Sequence, residues 1–376
     1  MIYLDGSATS YPKPAVVVSA AANAVRRYGF NSGRGGYAAS MNAAEKIFSV
    51  REKIGAMFGF EPQNIAFTKN CTEALNIAIR SSITAGSHII ISSLEHNSVY
   101  RVVHRLMLEG VAEYDIAAFD YDPEICVNNF RALIKPNTKM LVCTAASNAF
   151  GCVLPITELG ALARSKGISF IVDAAQTAGV MPINAARDNI DILCSAGHKS
   201  LMGLMGTGFI AVTDGVILNP FMVGGTGSSS LSADMPDFMP DALEAGTLNN
   251  IGIISLGAGI DYISARGMDN IYSHELSLCR FVYSALEANP DCLLYTPMPE
   301  AGRSAPIISF NYKDYSSEKT AARLSDFNIA LRAGYHCAPL AHRHFKTVQL
   351  GTVRISPTAF TSKKDCEFLL NALKKI

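Results

Sequence analysis

Short apolar runs rich in β-branched residues alternate with longer stretches of helical periodicity, and this alternation limits the folds open to the chain. The predicted strands lie at 64–68, 88–92, 140–144, 169–173, 190–195 and 208–212, and the predicted helices at 14–28, 42–58, 72–81, 99–109 and 156–166. Strands separated by helices form βαβ crossovers, which build a mainly parallel sheet covered on both faces. The sequence therefore predicts an α/β fold.

The texture of the sequence changes after residue 223. Glycines at 224, 225 and 227 lead into a serine run and several prolines, which are turn signals. Helical periodicity resumes at 251–266 and 270–288, and the segments 304–312, 321–327 and 362–376 complete a small α+β unit. We therefore expect a large domain at 16–250 and a smaller C-terminal domain at 251–376, which the N-terminal segment 1–15 joins.

Composition excludes several functional classes. Of the 376 residues, 49% are hydrophobic and 17% are charged, so the chain can bury a large core. Lysine plus arginine equals aspartate plus glutamate, 32 against 32, and no polybasic segment stands out. This balance argues against a nucleic-acid partner and against an anionic membrane surface. An enzyme acting on small molecules is the class that remains.

The cysteines indicate a reducing compartment. There are nine of them, an odd number, and they are scattered without a CxxC pair, so they do not form a disulfide framework. The N-terminal segment carries Asp5 and lacks the basic and apolar regions of a signal peptide. The apolar stretches are far shorter than the roughly 20 residues that a membrane-spanning helix needs. We expect a cytoplasmic protein.

Two residues of complementary chemistry, a carboxylate and an amine, lie at or just beyond the carboxyl ends of predicted strands. Asp173 ends the strand at 169–173, and Lys199 follows the strand at 190–195. In an open parallel sheet, ligands bind beyond the carboxyl ends of the strands. A cofactor with a pyridine ring needs an amine for a Schiff base and a carboxylate that keeps the ring nitrogen protonated. Alone, Asp173 could be a helix cap and Lys199 a solvated lysine; together they favour such a cofactor.

A phosphate site is predicted at the turn between the strand at 64–68 and the helix at 72–81. The first turn of a helix offers free N–H donors and the positive end of the helix dipole, and Thr72 adds a hydroxyl. An ordinary threonine cap is the alternative. The glycines at 203, 206 and 208 do not form a P-loop, because no Gly-Lys-Ser/Thr follows them.

These residues resemble the class V aminotransferase group of pyridoxal 5′-phosphate (PLP) enzymes, and specifically the cysteine desulfurase and selenocysteine lyase family. The resemblance covers nearly the whole chain, from the motif YLDGSAT at 3–9 through Glu95-His96 and Ser147-Asn148 to Arg354. It implies PLP as the cofactor. It also implies the PLP-dependent transferase type I fold, with a mainly parallel mixed sheet between helices in the large domain.

The resemblance assigns roles to individual residues. Lys199 would bond covalently to the coenzyme, Asp173 would pair with its ring nitrogen, and His96 would stack on the ring. The other cofactor residues would be Gln176 and Asn148 beside the ring and Thr72, Cys71 and His198 around the phosphate. Thr247 lies in a stretch that reaches the phosphate of the other subunit in the family, which implies a homodimer. Ala196 stands where the family commonly has a hydroxyl residue, which weakens phosphate binding by about 1–3 kcal/mol if nothing compensates.

A short, glycine-punctuated stretch at 332–340 carries Cys337. Considered without its neighbours, this cysteine would more often be a structural thiol. Arg332 and His336, however, could stabilise its thiolate. The stretch is similar to the RxGxHCA signature of short-loop, type II cysteine desulfurases. On that resemblance Arg354, a surface arginine in isolation, binds the substrate carboxylate together with Asn148. His336, His342 and His344 lack a fourth ligand at a familiar zinc spacing, so no metal is expected.

The resemblance therefore implies a PLP-dependent cysteine desulfurase that converts L-cysteine to L-alanine. Lys199 takes the α-proton, Cys337 receives the sulfur as a persulfide, and His96 acts as an acid–base partner. One alternative is a selenocysteine lyase that releases selenide from L-selenocysteine. Another is an aminotransferase or other lyase in which Cys337 is idle, and a third is a catalytically silent sulfur-relay or binding protein. A sulfur-acceptor protein is a further candidate partner.

Overall fold

The computed structural model of the chain describes residues 1–33 and 35–376. The strands are β1 (Ile2–Tyr3), β2 (Ile65–Thr68), β3 (Ser87–Ser92), β4 (Ala112–Ala117), β5 (Thr138–Thr144), β6 (Ser169–Asp173), β7 (Ile192–Ala196), β8 (Gly208–Val212), β9 (Cys292–Leu294), β10 (Ile308–Tyr312), β11 (Ile329–Ala330), β12 (Arg332–Gly334) and β13 (Thr352–Ile355). The helices are α1 (Ala15–Arg27), α2 (Ala38–Phe58), α3 (Cys71–Ser81), α4 (Asn97–Leu108), α5 (Pro123–Arg131), α6 (Ile156–Lys166), α7 (Asn250–Arg266), α8 (Met268–Glu287), α9 (Ser317–Ser325), α10 (Pro339–His344) and α11 (Lys363–Leu373).

A seven-stranded sheet forms the centre of the molecule, with the strand order β2-β8-β7-β6-β5-β3-β4. Neighbours from β4 to β7 pair in parallel, whereas β8 pairs antiparallel with both β7 and β2. The mainly parallel mixed sheet that the sequence predicts is thus confirmed. Its parallel strands all end at one edge, where Thr144 of β5 lies in register with Asp173 of β6.

Helices cover both faces of this sheet. Successive side chains of a strand point to opposite faces, and in these strands both sets are apolar and buried. On one face, Ile89, Val142 and Ile171 pack in a buried cluster with side chains of α3 and α4. On the other face, Leu141 and Phe170 pack with side chains of α1, α2, α6 and α7. Each fully buried side chain of this size contributes roughly 1.5–3 kcal/mol relative to exposure.

Two elements of this sheet unit are absent from the sequence prediction. The edge strand β4 buries only its two terminal alanines and carries charged residues between them, so it has no apolar run to detect. The helix α5 has only nine residues and starts at Pro123 after the Asp122 cap. In the C-terminal part, the segment 321–327 of the predicted α+β unit overlaps α9, which runs from Ser317 to Ser325.

The C-terminal part holds a second, antiparallel sheet with the order β12-β13-β10-β9. Its buried cluster contains Phe310, Val353, Leu278 of α8 and Leu369 of α11, and Leu4 of the N-terminal segment joins it. Strand β1 pairs with β11, which places the N-terminal segment beside this part. The domain division near residue 250 stays a prediction. Across the described residues, none of the helices has both the length and the apolar character required to traverse a bilayer.

We expect the Glu275→Gln variant to be more stable than the wild type near neutral pH. Burial raises the pKa of Glu275 in α8 to about 8. Between pH 4.5 and 8 the folded protein therefore keeps this carboxyl group protonated, whereas the unfolded chain, in which its pKa is 4.5, releases the proton. This group therefore lowers stability progressively as pH rises from about 4.5 to about 8. Glutamine removes that loss, which amounts to about 1–3 kcal/mol at pH 7.

The measurement is the free energy of unfolding by urea at several pH values between 4.5 and 8. The exposed Glu287→Gln in the same helix is the matched control and should leave the pH dependence unchanged. A Glu275→Gln variant that keeps the wild-type pH dependence would contradict this account.

Candidate active site

A cavity of about 220 Å³ lies at the carboxyl edge of the parallel strands. It collects nine of the eleven site residues that the sequence analysis names. These nine are Thr72, Cys71, His96, Asn148, Asp173, Gln176, His198, Lys199 and Arg354. The two that do not line it are Cys337 and Thr247. Ser7 and Ala8 of the N-terminal segment and Arg332 of β12 complete much of the wall.

Asp173 is the buried carboxylate of this cavity, with only 3% of its surface exposed at the end of β6. Its Oδ1 accepts hydrogen bonds from the backbone N–H of Ala175 at 2.9 Å and from the thiol of Cys71 at 3.4 Å. Burial and the Asp173 carboxylate raise the pKa of the Cys71 thiol well above its ordinary value. Cys71 therefore stays protonated and acts as a donor to Asp173 rather than as a nucleophile.

Lys199 follows β7 by three residues and faces the same cavity. Burial lowers the pKa of its amine, while the nearby Asp173 carboxylate acts in the opposite direction. A lower pKa increases the fraction of unprotonated amine, which is the form that attacks a carbonyl carbon. The turn between Lys199 and β8 is tight: Gly206 has a φ of +81°, and a Cβ on Gly208 would meet the backbone of Asn70 at 2.7 Å.

The amino end of α3 opens into the cavity. Asn70 caps this helix by accepting a hydrogen bond from the N–H of Glu73 at 2.9 Å. The N–H groups of Cys71 and Thr72 belong to the first turn, which has no carbonyl partners inside the helix. This is a seat for an anionic group next to Thr72 and His198. Burial lowers the pKa of His198 to about 4, so its imidazole is neutral at pH 7.

The hydroxyl of Ser195 does not replace the family hydroxyl that Ala196 lacks. Ser195 is fully buried, its Oγ has no hydrogen-bond partner among the described residues, and it does not line the cavity. Adjacent residues of a strand point to opposite faces, so Ala196 faces the cavity and Ser195 faces away from it.

His96 caps α4 and presents its ring to the cavity. Its Nδ1 accepts a hydrogen bond from the N–H of Ser98 at 3.1 Å, and burial lowers its pKa to about 4. The preceding residue, Glu95, is fully buried and accepts a hydrogen bond from the N–H of Thr144 at 2.8 Å. Burial raises the pKa of Glu95 to about 8. Glu95 therefore ties the His96 turn to the end of β5, a role that its motif alone does not reveal.

Cys337 is exposed and lies in a loop outside the cavity lining. Two hydrogen bonds fix this loop: the carbonyl of Cys337 accepts from the N–H of Asn97 at 2.7 Å, and the carbonyl of His336 accepts from the Asn148 amide at 2.6 Å. Arg332 lines the cavity and places Nη2 4.0 Å from Sγ of Cys337. The thiol therefore lies near the mouth of the site.

The expected electrostatic role of His336 is wrong. Its Nε2 donates a hydrogen bond to the carbonyl of Thr352 at 3.0 Å, and burial lowers its pKa to about 2. A neutral ring cannot stabilise a thiolate by charge, so Arg332 alone of the two residues can do so. Among the described residues, no cluster of three or more His, Cys, Asp or Glu side chains could hold a metal ion.

Arg354 is buried, not a surface residue, with 1% of its surface exposed. Its Nη2 lies 2.5 Å from Oδ1 of Asp5, and its Nη1 donates to the carbonyl of Asn148 at 2.8 Å. Its Nε has no hydrogen-bond partner among the described residues. A guanidinium carries five N–H donors, so three remain for another anion. Asp5 is a site residue that the sequence does not predict, because nothing in its motif pairs it with an arginine 349 positions away.

Thr247 is exposed and contributes nothing to the cavity of its own chain. Glu244, three residues before Thr247, is buried. It forms an ion pair with Arg51 at 2.7 Å and accepts a hydrogen bond from the N–H of Phe67 at 2.6 Å. The segment that carries Thr247 is therefore fixed to β2 while Thr247 itself faces outward.

The cavity fits PLP. It offers an amine for the aldehyde carbon, a buried carboxylate for the ring nitrogen and a helix amino end for the phosphate. Two polar atoms beside these groups, Oδ1 of Asn148 and Nδ1 of His198, are buried without a hydrogen-bond partner among the described residues. Such atoms are costly unless a ligand or water satisfies them.

Known proteins support this interpretation. The family model for aminotransferase class V matches residues 2–369. A probable cysteine desulfurase of Methanothermobacter thermautotrophicus is 31% identical over 384 residues, covering 100% of this chain and 94% of its own, and one of Synechocystis is 29% identical with 100% and 90% covered. The solved structure of a cysteine desulfurase from Thermococcus onnurineus has a TM-score of 0.91 at 29% identity, with 100% of this chain and 94% of that chain covered. The cysteine desulfurase CsdA of Escherichia coli has a TM-score of 0.88 at 25% identity, with 99% and 94% covered.

We expect Asp5→Asn to destabilise the protein by about 2–4 kcal/mol, because it leaves the buried charge of Arg354 without its partner. The free energy of unfolding by urea at pH 7 measures this loss. The control is Asp261→Asn, which breaks the exposed pair between Lys53 and Asp261. Exposed pairs contribute about 0–1 kcal/mol. Equal effects of the two substitutions would show that Asp5 does not stabilise a buried charge.

Proposed function

The chain belongs to the class V aminotransferase family, and from this premise we propose that it is a PLP-dependent cysteine desulfurase whose coenzyme site is the cavity lined by Lys199 and Asp173. The observation that carries the proposal is the convergence of three groups from separate elements. Asp173 ends β6, Lys199 follows β7, and the free N–H groups of Cys71 and Thr72 begin α3.

The chain supplies a base and a fixed counter-charge for the first part of the reaction. PLP, when bound, supplies an electron sink for the bonds around the α-carbon of an amino acid. Lys199 would hold the coenzyme covalently through Nζ, and the same amine would serve as the base that takes the α-proton of the substrate. Asp173 would hold a proton on the ring nitrogen of the coenzyme, and its own position is fixed by the N–H of Ala175 and the thiol of Cys71.

Arg354 and Asn148 orient the substrate. The N–H donors of Arg354 that face away from Asp5 and Asn148 suit a carboxylate, which accepts two parallel hydrogen bonds from a guanidinium. The Asn148 carbonyl holds Arg354, and its amide holds the Cys337 loop through the carbonyl of His336. Asn148 thus couples the carboxylate site, through its backbone carbonyl, to the loop that carries the nucleophile, through its side-chain amide.

Cys337 accepts the sulfur. Its thiolate, with Nη2 of Arg332 4.0 Å from Sγ, forms a bond to the sulfur of the substrate cysteine while the bond from that sulfur to the substrate Cβ breaks. The electron pair of the broken bond passes to the Cβ side, and Cβ takes up a proton. The products are alanine and a persulfide on Cys337. Burial lowers the pKa of His96 to about 4, so its ring is neutral at pH 7. Because Nδ1 accepts from the N–H of Ser98, the proton of the neutral ring lies on Nε2, where it is available to the reaction.

The proposal extends to partners and location. The outward Thr247 supports a homodimer in which it contacts the phosphate site of the partner subunit. The segment before Thr247, which is tied to it by the hydrogen bond from the N–H of Gly246 to the carbonyl of Gly225, supports the same interface through its exposed apolar side chains: Phe221, Val223, Leu231 and Phe238. The exposure of Cys337 supports delivery of sulfur to an acceptor protein. Nine free cysteines among the described residues support a cytoplasmic location.

We expect Cys337→Ala to reduce sulfide release from L-cysteine roughly hundredfold or more, because the sulfur loses its nucleophilic acceptor. The visible absorbance of bound PLP should be unchanged, since Cys337 does not line the coenzyme cavity. Assays of sulfide, alanine and absorbance on the purified variant provide the measurement. The matched control is Cys292→Ala, at a half-buried cysteine of β9.

The same assay separates the alternatives. Sulfide release that survives Cys337→Ala would contradict the persulfide step. Formation of a keto acid instead of alanine would identify an aminotransferase. Selenide release from L-selenocysteine that far exceeds sulfide release, and that persists in Cys337→Ala, would identify a selenocysteine lyase.

A further inference from the structure

The carbonyl oxygen of His198, the residue before Lys199, receives an unusual number of donors from the N-terminal segment. The N–H of Ser10 lies at 3.1 Å, the hydroxyl of Thr9 at 3.0 Å, the hydroxyl of Ser10 at 3.2 Å and the amine of Lys13 at 2.8 Å. A carbonyl oxygen has two lone pairs and ordinarily accepts two hydrogen bonds, so four donors exceed its usual capacity. The shortest of these contacts comes from the only charged donor, Lys13.

Lys13 is placed as a structural donor rather than as a surface charge. Its side chain is half-buried, and its Nζ also donates to Oγ of Ser10 at 2.7 Å. No carboxylate lies within 4.0 Å of Nζ among the described residues. Burial lowers the pKa of this amine to about 8, so the position costs free energy that only the carbonyl and hydroxyl contacts offset.

The hydrogen bonds to the His198 carbonyl also constrain Lys199, because the two residues share a peptide bond. A peptide unit is planar, so its carbonyl oxygen and the N and Cα atoms of the next residue share one plane. Fixing the His198 oxygen therefore fixes the direction in which the Cα of Lys199 leaves the turn. The next carbonyl, that of Lys199 itself, accepts from the N–H of Met202 at 2.8 Å, which holds the other side of the residue.

We propose that Lys13 is a positioning residue for Lys199: its ammonium, hydrogen-bonded to the His198 carbonyl, holds the Lys199 backbone in the orientation that directs Nζ into the cavity. This inference rests on the proposed function, because it concerns the amine that bonds to PLP. Charge makes the hydrogen bond roughly twice as strong as a neutral one. The stem of the side chain alone should not replace it.

The test compares Lys13→Met, which keeps the stem and removes the donor, with Lys13→Arg, which keeps a charged donor. The control is Lys364→Met, at an exposed lysine of α11. The first readout is the rate at which the coenzyme-free, full-length protein forms the covalent bond to added PLP, followed by absorbance. The other readouts are kcat and KM for L-cysteine and the thermal unfolding midpoint.

We expect Lys13→Met to slow bond formation and to lower kcat by roughly tenfold each, with KM within about twofold, because the reacting amine is misplaced while the carboxylate site is intact. Lys13→Arg should recover most of both rates, and Lys364→Met should match the wild type. Lys13→Gln, which keeps an uncharged N–H donor, covers the case in which Lys13→Met folds poorly, and it should slow both rates in the same sense.

Rates of Lys13→Met and Lys13→Gln that match the control would overturn the inference, as would losses that only follow the fraction of folded protein. Failure of Lys13→Arg to recover would show that the charged donor is not what matters. If the wild-type protein itself forms no bond to PLP, the proposed function fails. If it forms that bond and the Lys13 variants do so equally fast, only this inference fails.

Discussion

The buried carboxylate of Asp173 is the group on which the rest of the site depends. A carboxylate that is almost wholly removed from water is costly unless hydrogen bonds and positive charge compensate it. Here the compensation comes from the N–H of Ala175, the thiol of Cys71 and the field of Lys199. Because these groups belong to three different elements, Asp173 sets the relative position of the ends of β6, α3 and β7. Under the proposed function, the same carboxylate would also pair with the ring nitrogen of the coenzyme.

Much of the fold could be predicted from periodicity. Strands buried on both faces appear as continuous apolar runs, and α6, β6 and β8 agree with the prediction at both ends. The edge strand β4 was not predicted, because charged residues in its middle interrupt any apolar run. Asp173 and Lys199 were predictable as a pair, since the topology of a parallel sheet brings the residues after its strands to one edge.

Contacts that span the chain could not be predicted, because no local pattern encodes them. The ion pair of Arg354 with Asp5 and the contact of Lys13 with the His198 carbonyl both join the N-terminal segment to distant residues. The N-terminal segment thereby contacts Arg354 and the residue before Lys199, which both line the same cavity. Residue type also misleads where burial decides the charge: His336 suggests a cation in the sequence, but it is neutral in its buried position.

The central claim is that Lys199, and no other lysine, carries the coenzyme. The most direct measurement is reduction of the PLP-loaded protein with borohydride, followed by proteolysis and mass spectrometry of the labelled peptide. We expect one coenzyme-derived group for each chain, attached to the ε-amine of Lys199. A label on Lys13, on the exposed Lys69 or on any other lysine, or a stoichiometric label that persists in Lys199→Ala, would contradict the account.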